Sequence, residues 1–98
     1  MIVRIWHGRT SFENADAYFD FLKMRALPDY RGTPGNLAAF VLRRLDDDAA
    51  HFLTISHWES LDAIAAFAGE DVTIAKYYPE DDAFLLEFEP RVQHYEAI

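Results

Sequence analysis

The sequence predicts an α+β fold, a four-stranded antiparallel sheet with helices on one face, and three observations carry that expectation. Strand-like runs stand at residues 2–7, 37–45, 50–58 and 91–97. Apolar residues recur at helical spacing after the first and the third of these runs, and a short polar turn, "DDDA", joins the middle two. The order is β-α-β-β-α-β, the ferredoxin-like or split βαβ arrangement.

Each element has a local reason. Residues 2–7 are β-branched and aromatic and stop at Gly8. In "TSFE", Thr10 can cap a helix while Glu13 reaches back to the cap residue, so the first helix is expected to start there. Phe12, Ala15, Phe19 and Leu22 share one face, Leu27 extends the set, and Pro28 closes it. The stretch "PDYRGTPGN", residues 28–36, holds two Pro and two Gly and reads as a loop. Ser60 caps the second helix, in which Leu61, Ile64 and Phe67 keep helical spacing until Gly69. Between 70 and 89 the pattern is mixed, with Pro79-Glu80-Asp81-Asp82 marking the start of a short helix.

Ninety-eight residues with 51% hydrophobic content fit one domain, residues 1–98, because a chain this size fills a single core. A net charge of -8 disfavours nucleic acid. The chain has no cysteine, which excludes disulfides, thiolate metal sites and a cysteine nucleophile. Arg4 interrupts the first apolar run, there is no cleavage-site pattern, and no run approaches the roughly 20 residues that span a bilayer. A cytoplasmic protein without membrane contact is therefore expected. Eight Phe, five Tyr and two Trp are many for this length, and a one-sided sheet built from them would leave an apolar face bare. Dimerisation through the sheet is the simplest remedy.

The element order, the start "MIVRIWHGR", the junction "SHWESLDAIAAFAG", the following "YYPEDDAFL" and the end "VQHYEA" resemble the antibiotic biosynthesis monooxygenase family of dimeric α+β barrels. Trp58-Glu59-Ser60, with Ala63 and Phe67 downstream, is the most specific part of the likeness. The resemblance implies a homodimer whose sheets face each other, with a substrate pocket in each subunit between sheet and helices. It also implies a cofactor-independent monooxygenase that acts on a small aromatic or polyketide-like molecule with dioxygen. Family members include haem-degrading oxygenases, which use an axial histidine preceded by a helical tryptophan. Here Tyr77 and Phe67 stand at those places, so haem is disfavoured. The plant-type polyketide cyclases use histidines from the first and third strands with a tyrosine, and His7, His51 or His57, and Tyr77 or Tyr78 lie in comparable regions.

With the first strand between the third, taken as parallel to it, and the fourth, taken as antiparallel, His7 is expected near His57, with His94 close by. Imidazoles titrate near neutral pH, which makes His57, His94 and His7 acid-base candidates for a phenolic proton, with His51 the weakest of the four. The alternative is that each caps a strand end or sits in the dimer interface. Three imidazoles can also hold zinc, yet no H-x-H or H-E-x-x-H spacing is present, so no metal or cofactor is expected. Trp58 and Trp6 are expected chiefly to pack, with pocket wall as a second duty. Tyr18, Tyr77 and Tyr78 are candidates for holding a substrate oxygen. A polyketide cyclase-like enzyme of this fold, and a non-catalytic dimeric small-molecule-binding or stress-associated protein, are the competing readings.

Overall fold

The computed structural model describes residues 1–76 and 78–98; Tyr77 and the side chain of Phe88 lie outside the described set. Five strands form one antiparallel sheet: β1 (Ile2–Ser11), β2 (Asn36–Leu45), β3 (Ala49–Trp58), β4 (Leu85–Phe88) and β5 (Gln93–Glu96). The order is β2-β3-β1, and both β4 and β5 pair with the far edge of β1. β4 takes Gly8 to Thr10 and β5 takes Ile2 to Ile5, so two short strands fill the place of one expected edge strand. Pro90, which has no N–H to give a ladder, falls between them.

Tertiary pairing overrides the capping signal at Thr10. β1 runs on to Ser11 because its last residues are paired on both sides, Thr10 with Ala50 and Leu85, and Thr10 is fully buried. The first helix starts only at Ala15, with Asn14 in the cap position.

The helical run is also longer than expected. α1 (Ala15–Phe21) passes through a π-helical turn (Leu22–Ala26) directly into α2 (Leu27–Gly32), so residues 28–32 are helix and not loop. Pro28 lies in the first turn of α2, where a missing N–H is tolerated, and the π turn before it marks the change of hydrogen-bond register. The buried face of this run is Ala15, Tyr18, Leu22, Ala26, Leu27 and Tyr30, while Phe12 is exposed. Tyr18 is 1% exposed.

α3 (Leu61–Ala68) begins as expected at Ser60, whose Oγ accepts from the Ala63 N–H at 3.2 Å, and ends at Gly69 with φ of 99°. α4 (Asp81–Phe84) is one turn long. Helices cover one face of the sheet. Toward them point Arg4, Trp6, Gly8 and Thr10 of β1 and Phe52, Thr54, Ser56 and Trp58 of β3, all but fully buried. The alternate residues, Val3, Ile5, His7 and Arg9 with His51, Leu53, Ile55 and His57, occupy the opposite face and are half-buried. No helix is long and apolar enough to cross a membrane.

Gly8 is where the helix-side face is tightest. A Cβ there would stand 2.4 Å from Cη2 and 2.7 Å from Cζ2 of Trp6, because the indole lies over the glycine. Gly8→Ala is therefore expected to cost about 1–3 kcal/mol in urea unfolding, as overpacking does; an unchanged midpoint would show that the indole has room to move.

Candidate functional site

The four histidines do not form one site. β1 and β3 are antiparallel, not parallel, and the register sets His57 opposite Val3 and His7 opposite Leu53. In that register His7 stands four residues along β1 from Val3, the partner of His57, so the two imidazoles do not meet. His57 lies on the uncovered face, edge-on to Phe40 at 5.8 Å between ring centroids. His94 sits opposite Arg4 on the helix-side face, with Nε2 3.2 Å from an Arg4 Nη. The expected meeting of His7, His57 and His94 is thus overturned by geometry. The pair that does form is His7 with His51, rings stacked at 5.5 Å and ring nitrogens 3.2 Å apart, flanked by Asp46 at 2.9 Å and Glu89 at 3.5 Å. Among the described residues no group of three or more His, Asp or Glu side chains is placed to hold a metal ion.

An open groove of about 290 Å³ lies over the pair of His7 and His51 on the uncovered face, lined by these two with Leu42, Arg43, Arg44 and Leu53. The more enclosed cavity lies on the other side of the sheet, between it and the helices, with a volume of about 20 Å³, room for a water molecule. β1 contributes Arg4 and Trp6, β3 contributes Thr54, the first helical run Tyr18, Leu22, Ala26 and Tyr30, and the segment after α3 supplies Lys76, Tyr78 and Asp81. Of the expected ring-holding residues, Trp6, Tyr18 and Tyr78 line it. Tyr77 lies outside the described residues. Trp58 does not line the cavity: it is fully buried, donates its indole N–H to Ser56 Oγ at 2.8 Å and packs on Tyr30 and Phe67. In the junction "SHWES", the tryptophan is core and the histidine faces away from the cavity.

The polar groups set in this mainly apolar wall are hydrogen-bonded to one another and to their neighbours. Tyr18 donates its hydroxyl to Asp81 at 3.0 Å, and the Tyr78 N–H donates to the other carboxylate oxygen at 3.0 Å. The Tyr30 hydroxyl is 3.1 Å from Thr54 Oγ1. Tyr78 donates its own hydroxyl to Asp29 at 2.6 Å, and Lys76 Nζ lies 2.7 Å from the same oxygen. Arg4, 2% exposed, donates to the carbonyls of Val72 at 2.5 Å and Ile74 at 3.1 Å, so it ties the segment after α3 to the centre of the sheet.

Burial governs the charges here. It pushes the Asp81 carboxyl above the usual carboxylate range, although the Tyr78 and Tyr18 hydrogen bonds favour the ionised form. Burial likewise raises the phenols, Tyr18 with help from Asp81 and Tyr78 with help from Asp29, so both stay protonated. Burial lowers the Arg4 guanidinium, and burial together with Arg4 lowers His94. At Asp29 burial works upward, but Lys76 and Tyr78 outweigh it and hold the carboxyl below its ordinary value.

A raised Asp81 pKa means that the folded state binds its proton more tightly than the unfolded chain does. This contribution to stability is present at low pH and is lost as pH rises from about 4 through the raised folded value. The stability of Asp81→Asn relative to the parent chain should therefore improve across that window in a pH series of urea unfolding curves. A difference independent of pH would place the carboxyl in water.

No protein-family model and no curated protein matches the chain. Solved structures do. A protein of Nitrosomonas europaea assigned to the antibiotic biosynthesis monooxygenases superposes with a TM-score of 0.75 at 17% identity, covering 100% of this chain and 99% of its own. One from Deinococcus radiodurans with the same assignment gives 0.68 at 22% identity, covering 99% and 92%. The heme-degrader MhuD of Mycobacterium tuberculosis, with two hemes bound in its active site, gives 0.62 at 18% identity, covering 100% and 96%. The chain has the ferredoxin-like fold of the antibiotic biosynthesis monooxygenase structures, the family its sequence resembles.

Proposed function

We propose that the chain is a cofactor-independent monooxygenase whose site is the cavity between sheet and helices, and whose substrate is a small phenolic or polyketide-like molecule. The observation that carries this reading is the buried Asp81 carboxylate, hydrogen-bonded by Tyr18, in the wall of a cavity whose other sides are largely aromatic. A carboxylate made more basic by burial is suited to accept a phenolic proton. The ionised ring then gives its electrons to dioxygen at a C–H carbon; loss of water from the peroxide leaves a carbonyl there. A phenol and O₂ become a quinone and water, with one oxygen atom in each product. Trp6, Tyr30 and Tyr78 hold the ring. This assigns to Asp81 the role that the sequence suggested for His57, His94 and His7.

Haem suits this cavity poorly. No histidine lines it, and the Tyr78 hydroxyl is engaged by Asp29. The bare sheet face, with Val3, Ile5, Leu53 and Ile55 beside the half-exposed Phe40 and Leu42, supports a homodimer formed sheet to sheet. A cavity of about 20 Å³ is smaller than an aromatic ring, so substrate entry requires the wall formed by Lys76, Tyr78 and Asp81 to yield. The small volume favours the second reading, a dimeric binding protein without turnover.

Oxygen-electrode assays with a panel of phenols and quinols, on protein dialysed against chelator, separate the readings. Oxygen uptake is expected, with Asp81→Asn lowering kcat by about 10²–10⁴-fold and His57→Ala leaving it nearly unchanged. Substrate loss at an equal rate without oxygen would indicate a cyclase, and no turnover would leave the binding protein. In sedimentation velocity the parent chain should run as a dimer and Leu53→Asp as a monomer; a monomeric parent would remove the assembly from the account.

A further inference from the structure

Arg4 is a buried cation without a counter-ion. Its hydrogen-bond partners are two backbone carbonyls and one imidazole nitrogen, its Nε has no partner, and no carboxylate of the described residues pairs with it. Burying a charge in this way is costly unless something compensates it. His94 does not supply a negative charge, and burial together with Arg4 biases that ring toward its neutral form. Arg4 also lines the cavity, so the uncompensated charge borders the space that a ligand would occupy once the wall of Lys76, Tyr78 and Asp81 yields.

We propose that Arg4 makes the cavity an anion site, so that its ligand binds as a carboxylate or phenolate with the charged oxygen against the guanidinium. This rests on the cavity being the ligand site and not on turnover there. It also selects among substrates: an acidic aromatic is preferred to a neutral one of the same shape, since only the anion replaces the missing counter-ion. The overall charge of -8 works against indiscriminate anion binding, so saturable binding reports a local site.

The test compares isosteric pairs at constant ionic strength: formate with formamide, benzoate with benzamide, and salicylate with salicylamide. The readouts are thermal unfolding and the tryptophan fluorescence of the intact chain. At least one anion is expected to raise the unfolding midpoint saturably and to bind about tenfold or more tightly than its amide, the ratio that one charge-assisted contact gives. Arg4→Lys should keep part of that preference and Arg4→Met should abolish it. The comparison within the unmodified protein stands even if Arg4→Met does not fold. Amides that bind as well as the anions, or no anion that binds saturably, would overturn the anion site. Anion preference without oxygen uptake would keep the anion site and remove the oxygenase; oxygen uptake without anion preference would do the reverse.

Discussion

The unbroken antiparallel pairing of β1 with β3, from Ile2 opposite Trp58 to Ser11 opposite Ala49, is the constraint on which the rest depends. Side chains alternate with period two, so a single register assigns every residue of both strands to a face. Arg4, Trp6, Thr54 and Trp58 go under the helices, and His7, His51, Leu53 and His57 go to the uncovered side. A slip of one residue would exchange the two sets, burying the histidines and exposing the arginine.

Given that register, the position of Arg4 shapes the site. Its guanidinium takes the carbonyls of Val72 and Ile74 and so anchors the irregular chain after α3 above the central strand. The same segment brings in Lys76, Tyr78 and Asp81, and Asp29 on α2 fastens it through Tyr78 and Lys76. Cavity chemistry therefore comes from places distant in sequence: the first strand, the long helical run, β3 and the segment before β4. The opposed shifts of Arg4 and Asp81 share a cause, since burial disfavours both charged forms.

The fold was legible because its signals are periodic. Alternation marked β2 and β3, and Ser60 and Gly69 bounded α3 as expected. The edge strands were less so: β4 has only four residues, and β1 extends to Ser11 through pairing that local sequence does not announce. The site was legible only in part. Trp6, Tyr18 and Tyr78 were singled out, whereas Tyr30 was hidden in a stretch whose Pro and Gly suggested a loop. Asp81 looked like an ordinary helix-start acid. Arg4 did leave a signal, a charge at the same alternation as Trp6 within the otherwise apolar run of residues 2–6. The histidines misled because the direction of β3 relative to β1 decides their distances, and reversing it separates His7 from His57.

The two tryptophans allow the central claim, that the ligand site lies under the helices and away from His57 and Trp58, to be tested by one measurement. Indole N–H resonances of ¹⁵N-labelled protein give one signal each for Trp6 and Trp58, assignable with Trp6→Phe. Titration with salicylate is expected to shift the Trp6 signal and leave that of Trp58, held on Ser56, nearly in place. A shift confined to Trp58, or to residues on the His57 face of the sheet, would contradict the account.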